Sequence, residues 1–358
     1  MAPQQIAILG AGIFVRHEYL PRLSEISDLF VLKAIWSRSE ESARGATDIA
    51  KKSFQEVECK WGDEGLNEII QDNSIVAVLV VLAPQFQVDL SLKMLKAGKH
   101  VLQEKPAACS IDEAESALSS YNSLTTSSPC KPIWAVAENY RFEPAFMECT
   151  KLAADIKELI NFQILVEVPM NRPNMYTSSK WRHDFTGGYV LDMGVHIVAA
   201  LRMIAGCEVL SVSAATSHVD TTLPPPDTMS SVIQLENGCS GVFVLVASAQ
   251  TIKMLYRFVG LNGTLQIEVT QEEGKYGNLV KLFLPDGQTK SSFYPFNGVT
   301  EELKFFLNNI SEASDKKDGS LEMDPRISLL EGARDVAVVD AILESGKNSG
   351  ALVNVKRF

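Results

Sequence analysis

The chain has 358 residues and a formal net charge of −11, with an isoelectric point near 5.1. That acidity excludes a polyanionic partner, so no nucleic acid is expected, and the length suits about two domains. Hydrophobic residues make up 46% and charged residues 22%, a composition that supports real cores. The longest apolar run, Ile75 to Pro84, is half of the ~20 residues a membrane span needs, so no membrane association is expected. Six scattered cysteines (Cys59, Cys109, Cys130, Cys149, Cys207, Cys239) with no C-x-x-C spacing suit a reducing compartment rather than a disulfide framework or zinc site. No cationic and apolar leader opens the sequence, and a cytoplasmic location is expected.

Gln5 to Leu9 reads as a short buried strand, and Gly10-Ala11-Gly12-Ile13-Phe14-Val15 follows it. This is the opening of a dinucleotide fingerprint: Gly10 permits the tight turn, and Gly12 lets a pyrophosphate approach the backbone. The helix that follows offers free N–H groups and its positive dipole end to phosphate. Ile13 and Phe14 complete the candidate cofactor turn. Val15 stands where the third glycine would be, and that glycine serves helix–strand packing rather than phosphate contact. Leu29 to Trp36 reads as the second strand, ending in Ser37-Arg38-Ser39. An NAD-type fold carries an acid near this point for the ribose 2′-OH; here Ser37 and Arg38 suit a phosphate instead, so NADP is expected, with NAD possible.

Strands and helices then alternate: a helix over Glu40–Lys52, another over Glu64–Gln71, and a buried strand over Ile75–Ala83 closed by Pro84. A helix over Gln85–Lys96 stops at Gly98. His100-Val101-Leu102-Gln103-Glu104-Lys105-Pro106 begins as an apolar strand and ends in a carboxylate, an amine and a proline. Alone it reads as a strand edge with a solvated ion pair. Pro106 cannot donate to a ladder, so Lys105 falls at the carboxyl end of the strand, where open α/β sheets bind ligands. A helix from Ile111, a Ser/Thr/Pro loop and a strand over Ile133–Glu138 complete a doubly wound parallel sheet, the Rossmann class of α/β fold, assigned to residues 1–142.

From residue 143 to 358 the pattern changes. A helix runs from Pro144 to about Leu159, a strand from Phe162 to Val168, and a polar loop from Pro169 to Lys180. Trp181-Arg182 and Gly187-Gly188 lead into a helix over Tyr189–Ala205, on which Asp192 and His196 are four apart and share a face, an acid–imidazole pair that reads as a simple surface contact or as half a metal site. No second His or Cys cluster completes a metal site, and none is expected. From Glu208 to Phe293 strands dominate, with hairpin signals at Glu236-Asn237-Gly238 and Leu261-Asn262-Gly263. Leu223-Pro224-Pro225-Pro226 reads as a stiff connection and nothing more. Closing helices are expected over Val299–Ser314 and Ile327–Ser345, giving an α+β domain with a large, mostly antiparallel sheet and helices on one face.

Together these residues resemble the glucose-fructose oxidoreductase / inositol dehydrogenase / rhizopine-catabolism (Gfo/Idh/MocA) family, in its eukaryotic NADP-dependent branch, over nearly the whole chain. The carriers are Gly10-Ala11-Gly12, the run Ala97 to Pro106, Asn139-Tyr140-Arg141-Phe142, and Gly187-Gly188 leading to Asp192 and His196. The resemblance implies a Rossmann domain, an open-faced α+β domain and an active site between them. It implies Lys105 as a group touching nicotinamide ribose and substrate, His196 as general acid/base and Asp192 beside it. It places Glu104 and Pro106 in the cofactor cleft and makes Tyr140, Trp181 and Arg182 substrate contacts. The implied activity interconverts an alcohol or sugar hydroxyl and a carbonyl by hydride transfer, with a sugar, polyol or aldehyde as substrate. The sheet's open face implies a homodimer. A catalytically silent nucleotide-binding sensor and a nicotinamide-tethered glycoside hydrolase or lyase are the alternatives from the same fold.

Overall fold

A computed structural model describes residues 3–127, 131–172, 175–176, 179–183, 185, 187–315 and 324–358. Cys130, parts of the polar loop after Pro169 and most of the charged loop before Asp324 lie outside the described residues. The chain divides into two compact units, Met1–Glu138 with Val299–Ala333, and Asn139–Gly298 with Arg334–Phe358.

The first unit contains strands β1 (Gln4–Leu9), β2 (Phe30–Ser37), β3 (Glu58–Trp61), β4 (Ile75–Val80), β5 (His100–Glu104) and β6 (Trp134–Ala137). They form one sheet in the order β3-β2-β1-β4-β5-β6, and every neighbouring pair is parallel. This is the doubly wound arrangement, with its crevice where the order reverses between β1 and β4. The apolar runs dictate it: Ile6 to Leu9 and Ala77 to Val80 are fully buried, as strands covered on both faces must be. β3 has no expectation in the sequence. It is a short edge strand of Glu, Cys, Lys and Trp, half-exposed and tied to β2 by a Lys33–Glu58 ion pair at 3.4 Å.

The helix Gly298–Asp315 shows why residues after 298 belong to the first unit, whereas a simple division of the sequence places the boundary at 142/143. Leu303, Phe306 and Ile310 are fully buried, and Thr300 donates to Glu25 at 3.4 Å. Period-3.6 spacing shows that such a helix is amphipathic but not which core its apolar face joins.

The second unit contains β7 (Leu159–Pro169), β8 (Val209–Ser217), β9 (Thr228–Leu235), β10 (Ser240–Val246), β11 (Ser248–Gly260), β12 (Gly263–Glu272), β13 (Lys275–Phe283), β14 (Thr289–Pro295) and β15 (Val353–Asn354). The sheet order is β14-β13-β12-β11-β7-β10-β9-β8-β15, and only β7 and β10 pair in parallel. Alternate residues (Phe162, Ile164, Val166, Phe243, Leu245, Tyr256, Phe258) are buried, while those between them face outward. The helices Pro144–Ile156 and Gly188–Ala205 pack together, and Phe146 meets Tyr256 of the sheet edge-on at 5.2 Å. Gly188–Ala205 is long and apolar enough to cross a membrane by length and composition, yet most of it is buried inside this unit. An apolar helix also carries Asp192, His196 and Arg202 because each has polar or aromatic neighbours within the core.

Candidate functional site

In the first unit, the glycine turn sits where its chemistry requires. Gly10 has φ +135°, and a Cβ there would stand 2.0 Å from the Val81 carbonyl oxygen at the end of β4. Gly12 differs: a Cβ built on it meets nothing within 4 Å, so the protein's own packing does not demand glycine there. An open backbone above a helix start suits a pyrophosphate that must approach closely. Ile13 and Phe14 open the helix and are half-buried. The helix then takes a π register over Val15–Tyr19, with Val15 fully buried in the place of the absent glycine. Such wide turns occur mostly as single bulges and often at functional sites. Arg16 braces the turn, its Nε donating to the Ala11 carbonyl at 3.0 Å and its Nη2 to the Ser42 carbonyl at 3.0 Å.

Ser37 ends β2 and Arg38 follows it, exposed, with its guanidinium 4.8 Å above the ring of Phe86. Arg38 has no hydrogen bond or ion pair among the described residues, which leaves a planar set of donors free for phosphate. Gly12 leaves room for a phosphate at the helix start, and Arg38 presents unpaired donors at the end of β2.

Lys105 is the first residue beyond the carboxyl end of β5, and the Lys105–Pro106 bond is cis. Below it lies a buried acidic group. Tyr19 donates to Glu104 at 2.7 Å. Burial, with the Glu138 carboxylate adding to it, pushes Glu104 up to about 7 against the pull of Tyr19 and the Lys105 ammonium. Burial, then Glu104 and Glu138, also raise Glu302 well above the ordinary carboxylate range, and its Oε2 has no hydrogen-bond partner among the described residues. Gln103 locks the preceding residue, accepting from Ser91 at 2.9 Å and donating to the Ala107 carbonyl at 3.0 Å. Glu104 is therefore buried support beneath Lys105 rather than half of a solvated ion pair.

In the second unit, Gly187 (φ +89°) and Gly188 (φ +54°) turn the chain into the helix that carries Asp192 and His196. Both side chains are buried, which excludes a simple surface pair. Asp192 accepts from Arg182 Nε at 3.3 Å, and Arg182 lies 4.3 Å above the Trp181 ring while donating to the Tyr176 carbonyl at 2.9 Å. The His196 imidazole stacks on Tyr140, with centroids 4.7 Å apart and planes 21° from parallel. Arg141, next to Tyr140, is turned into the core instead. It and Arg202 both bind Asp335, at 2.5 and 2.7 Å, and Arg202 continues to Glu208 at 2.7 Å. Among the described residues no group of three or more His, Cys, Asp or Glu is disposed to hold a metal ion.

The second unit thus gathers Tyr140, Trp181, Arg182, Asp192 and His196, and the first gathers Gly10, Gly12, Ile13, Phe14, Glu104, Lys105 and Pro106 around the ends of β1 and β5. Four residues escaped the sequence. Tyr19, Phe86 and Glu302 carry no motif, and Glu302 is about two hundred positions from its neighbour Glu104. Tyr189 had a signal, since it is three residues before Asp192 on the same helical face. The Leu223–Pro226 loop is also more than a connection: Leu223 and Pro224 wall a cavity with Arg182, Tyr189 and Asp192.

Comparison with known proteins identifies the family. Residues 4–125 match the model of an oxidoreductase family with an NAD-binding Rossmann fold, and residues 159–276 match the GFO/IDH/MocA C-terminal domain. The chain is 32% identical to Dehydrogenase FPY6 of Fusarium mangiferae over 98% of this chain and 99% of that one. Two solved structures share the fold. One is aldose-aldose oxidoreductase from Caulobacter crescentus complexed with glycerol (TM-score 0.80, 19% identity, 99% and 100% coverage). The other is an inositol dehydrogenase homolog from Azotobacter vinelandii complexed with NADH and myo-inositol (TM-score 0.78, 15% identity, 98% and 97% coverage). With a full-length relative at this identity and a family match in each half of its sequence, the chain belongs to the Gfo/Idh/MocA family of oxidoreductases.

Proposed function

We propose that this protein is an NADP(H)-dependent oxidoreductase that interconverts an alcohol or sugar hydroxyl and a carbonyl. The observation that carries the reading is Lys105, an amine set one residue past β5 on buried Glu104, in the same unit as the open glycine turn. When bound, the nicotinamide supplies the hydride acceptor or donor. Gly12 gives its pyrophosphate access to the helix start, and Arg38 grips the 2′-phosphate. Lys105 donates a hydrogen bond to the substrate oxygen and stabilises the charge that develops there. His196 takes or returns the hydroxyl proton at a ring nitrogen, since imidazole is suited to neutral pH. Asp192, fixed by Arg182, and the Tyr140 ring hold the imidazole in place. Sugars, polyols and aldehydes are the proposed substrate classes, and a polyol is named for one relative, scyllo-inositol 2-dehydrogenase (NADP(+)) of Bacillus subtilis, which is 25% identical over 54% of this chain.

The setting is cytoplasmic, and the working form is a homodimer joined through the open face of the second unit's sheet. There Val232 and Val242 pair across β9 and β10 and are 55% and 41% exposed. The test is to titrate purified protein with NADPH and NADH, then to screen turnover with Lys105→Ala as blank. NADPH should bind more tightly than NADH, and Lys105→Ala should reduce kcat by orders of magnitude. Binding of neither nucleotide sinks the reading.

A further inference from the structure

The cavity of the second unit has two unlike walls. One is polar: Asp192, Arg182 and the Tyr189 side chain. The other is hydrocarbon: Met170, Leu223 and Pro224, with Phe185 beside them. The space between the two walls opens to solvent on one side. Three features point to a ligand here. Tyr189 is only 9% exposed, yet its phenol has no hydrogen-bond partner among the described residues. Burial, with Asp192 next, holds that phenol's pKa well above its ordinary value, so it stays an O–H donor. A donor on the cavity wall with no protein partner is open to a ligand oxygen. Arg182 uses Nε on Asp192 and Nη1 on the Tyr176 carbonyl, leaving Nη2 without a partner among the described residues.

The hydrocarbon wall is built rather than incidental. A Cβ on Gly188 would stand 3.0 Å from the Pro225 carbonyl oxygen, so this glycine lets the proline loop lie against the helix start. His218 Nε2 is 2.8 Å from the Leu223 carbonyl oxygen, and the Leu223 amide donates to the Asp220 carbonyl at 3.1 Å. These contacts keep Leu223 almost wholly buried on the cavity wall. A molecule hydroxylated at every carbon would leave its hydroxyls facing Leu223, Pro224 and Met170 without partners.

We propose that this cavity is a substrate pocket for a carbonyl compound, or its alcohol, that is oxygenated at the reacting end and hydrocarbon at the other. Tyr189 and Arg182 orient the oxygenated end, the proton and charge roles at the reacting oxygen staying with the groups named under the proposed function, and Leu223, Met170 and Pro224 take the hydrocarbon. The proposal rests on the oxidoreductase reading and narrows its substrate class from sugars at large to alkyl- or aryl-bearing aldehydes, ketones and alcohols.

Two measurements separate the pocket from the activity. Equilibrium binding of 2-phenylethanol and of glycerol to the full chain, by ligand-observed NMR, reads the pocket alone. 2-Phenylethanol should bind at least tenfold more tightly, and Leu223→Asp should weaken it about tenfold. Met170→Gln should do the same in kind, which guards against a loop that fails to fold in the first variant. Tyr189→Phe should weaken 2-phenylethanol severalfold but leave toluene unchanged. Equal binding of the two alcohols, or no effect of Leu223→Asp and Met170→Gln, overturns the proposal. NADPH oxidation with phenylacetaldehyde and with glyceraldehyde reads the reaction. A kcat/KM at least tenfold higher for phenylacetaldehyde supports the proposal, and a preference for glyceraldehyde overturns it. Tight 2-phenylethanol binding without NADPH turnover on any carbonyl supports the pocket and rejects the oxidoreductase reading instead.

Discussion

The Tyr19 hydroxyl donates to the Glu104 carboxylate at 2.7 Å deep inside the first unit. The π register over Val15–Tyr19 carries Tyr19, so the irregular helix after the glycine turn is joined to the strand end that presents Lys105. Tyr19→Phe removes the donor and keeps the ring packed against Phe14, whose centroid is 5.6 Å away. The expected cost is about 1–2 kcal/mol in urea unfolding, with the glutamate driven further toward its protonated form. Turnover should fall roughly tenfold while NADPH binding is retained. A variant as active and as stable as the parent would remove Tyr19 from the support of Lys105.

The buried carboxyls set a pH dependence. Glu104 titrates near 7 in the folded chain against 4.5 for an ordinary glutamate, and Glu302 is raised as well. With folded values above unfolded ones, the folded state binds more protons between pH 4.5 and 7, so stability falls as pH rises through that window. The raised Glu302 adds a loss of the same sign. Glu302→Gln should be more stable than the parent at pH 8, and the gap should close toward pH 5. Denaturant melts at about pH 5.5 and 8 decide it. A gap that is constant with pH would show that Glu302 does not ionise in this range.

Arg38 over Phe86 governs the choice of nucleotide under the proposed function. Arg38→Ser should raise the Kd for NADPH by about ten- to a hundredfold and change that for NADH little, since a charge-assisted phosphate contact is lost. Phe86→Ala removes the platform under the guanidinium and should act in the same direction by severalfold. Fluorescence titration of both nucleotides reads each result. Equal losses for NADPH and NADH would place Arg38 outside the 2′-phosphate contact.

Much of the fold was legible because its signals are local. Ile75 to Val80 announces a strand buried on two faces, and Asn237-Gly238 and Asn262-Gly263 mark hairpins where the chain turns. Gly10, Gly12 and Lys105 were legible for the same reason, each fixed by the strand it follows. β3 was not, since an edge strand need not alternate apolar and polar residues. Nor was Glu302, whose helix shows an apolar face in the sequence without naming the core it enters. Arg38 was legible as a residue but not as a stack, because Phe86 comes from the turn after another strand.

The discontinuity of the first unit bears on biosynthesis. Leu303, Phe306 and Ile310 complete a core begun by residues 4–9, so a nascent chain carries an unfinished nucleotide-binding unit until nearly its whole length has left the ribosome. The first unit's own sheet, contained within residues 4–137, can pair well before that, but its core is not closed until the helix follows. A ribosome that stops before the helix Gly298–Asp315 therefore releases a first unit whose core is still open.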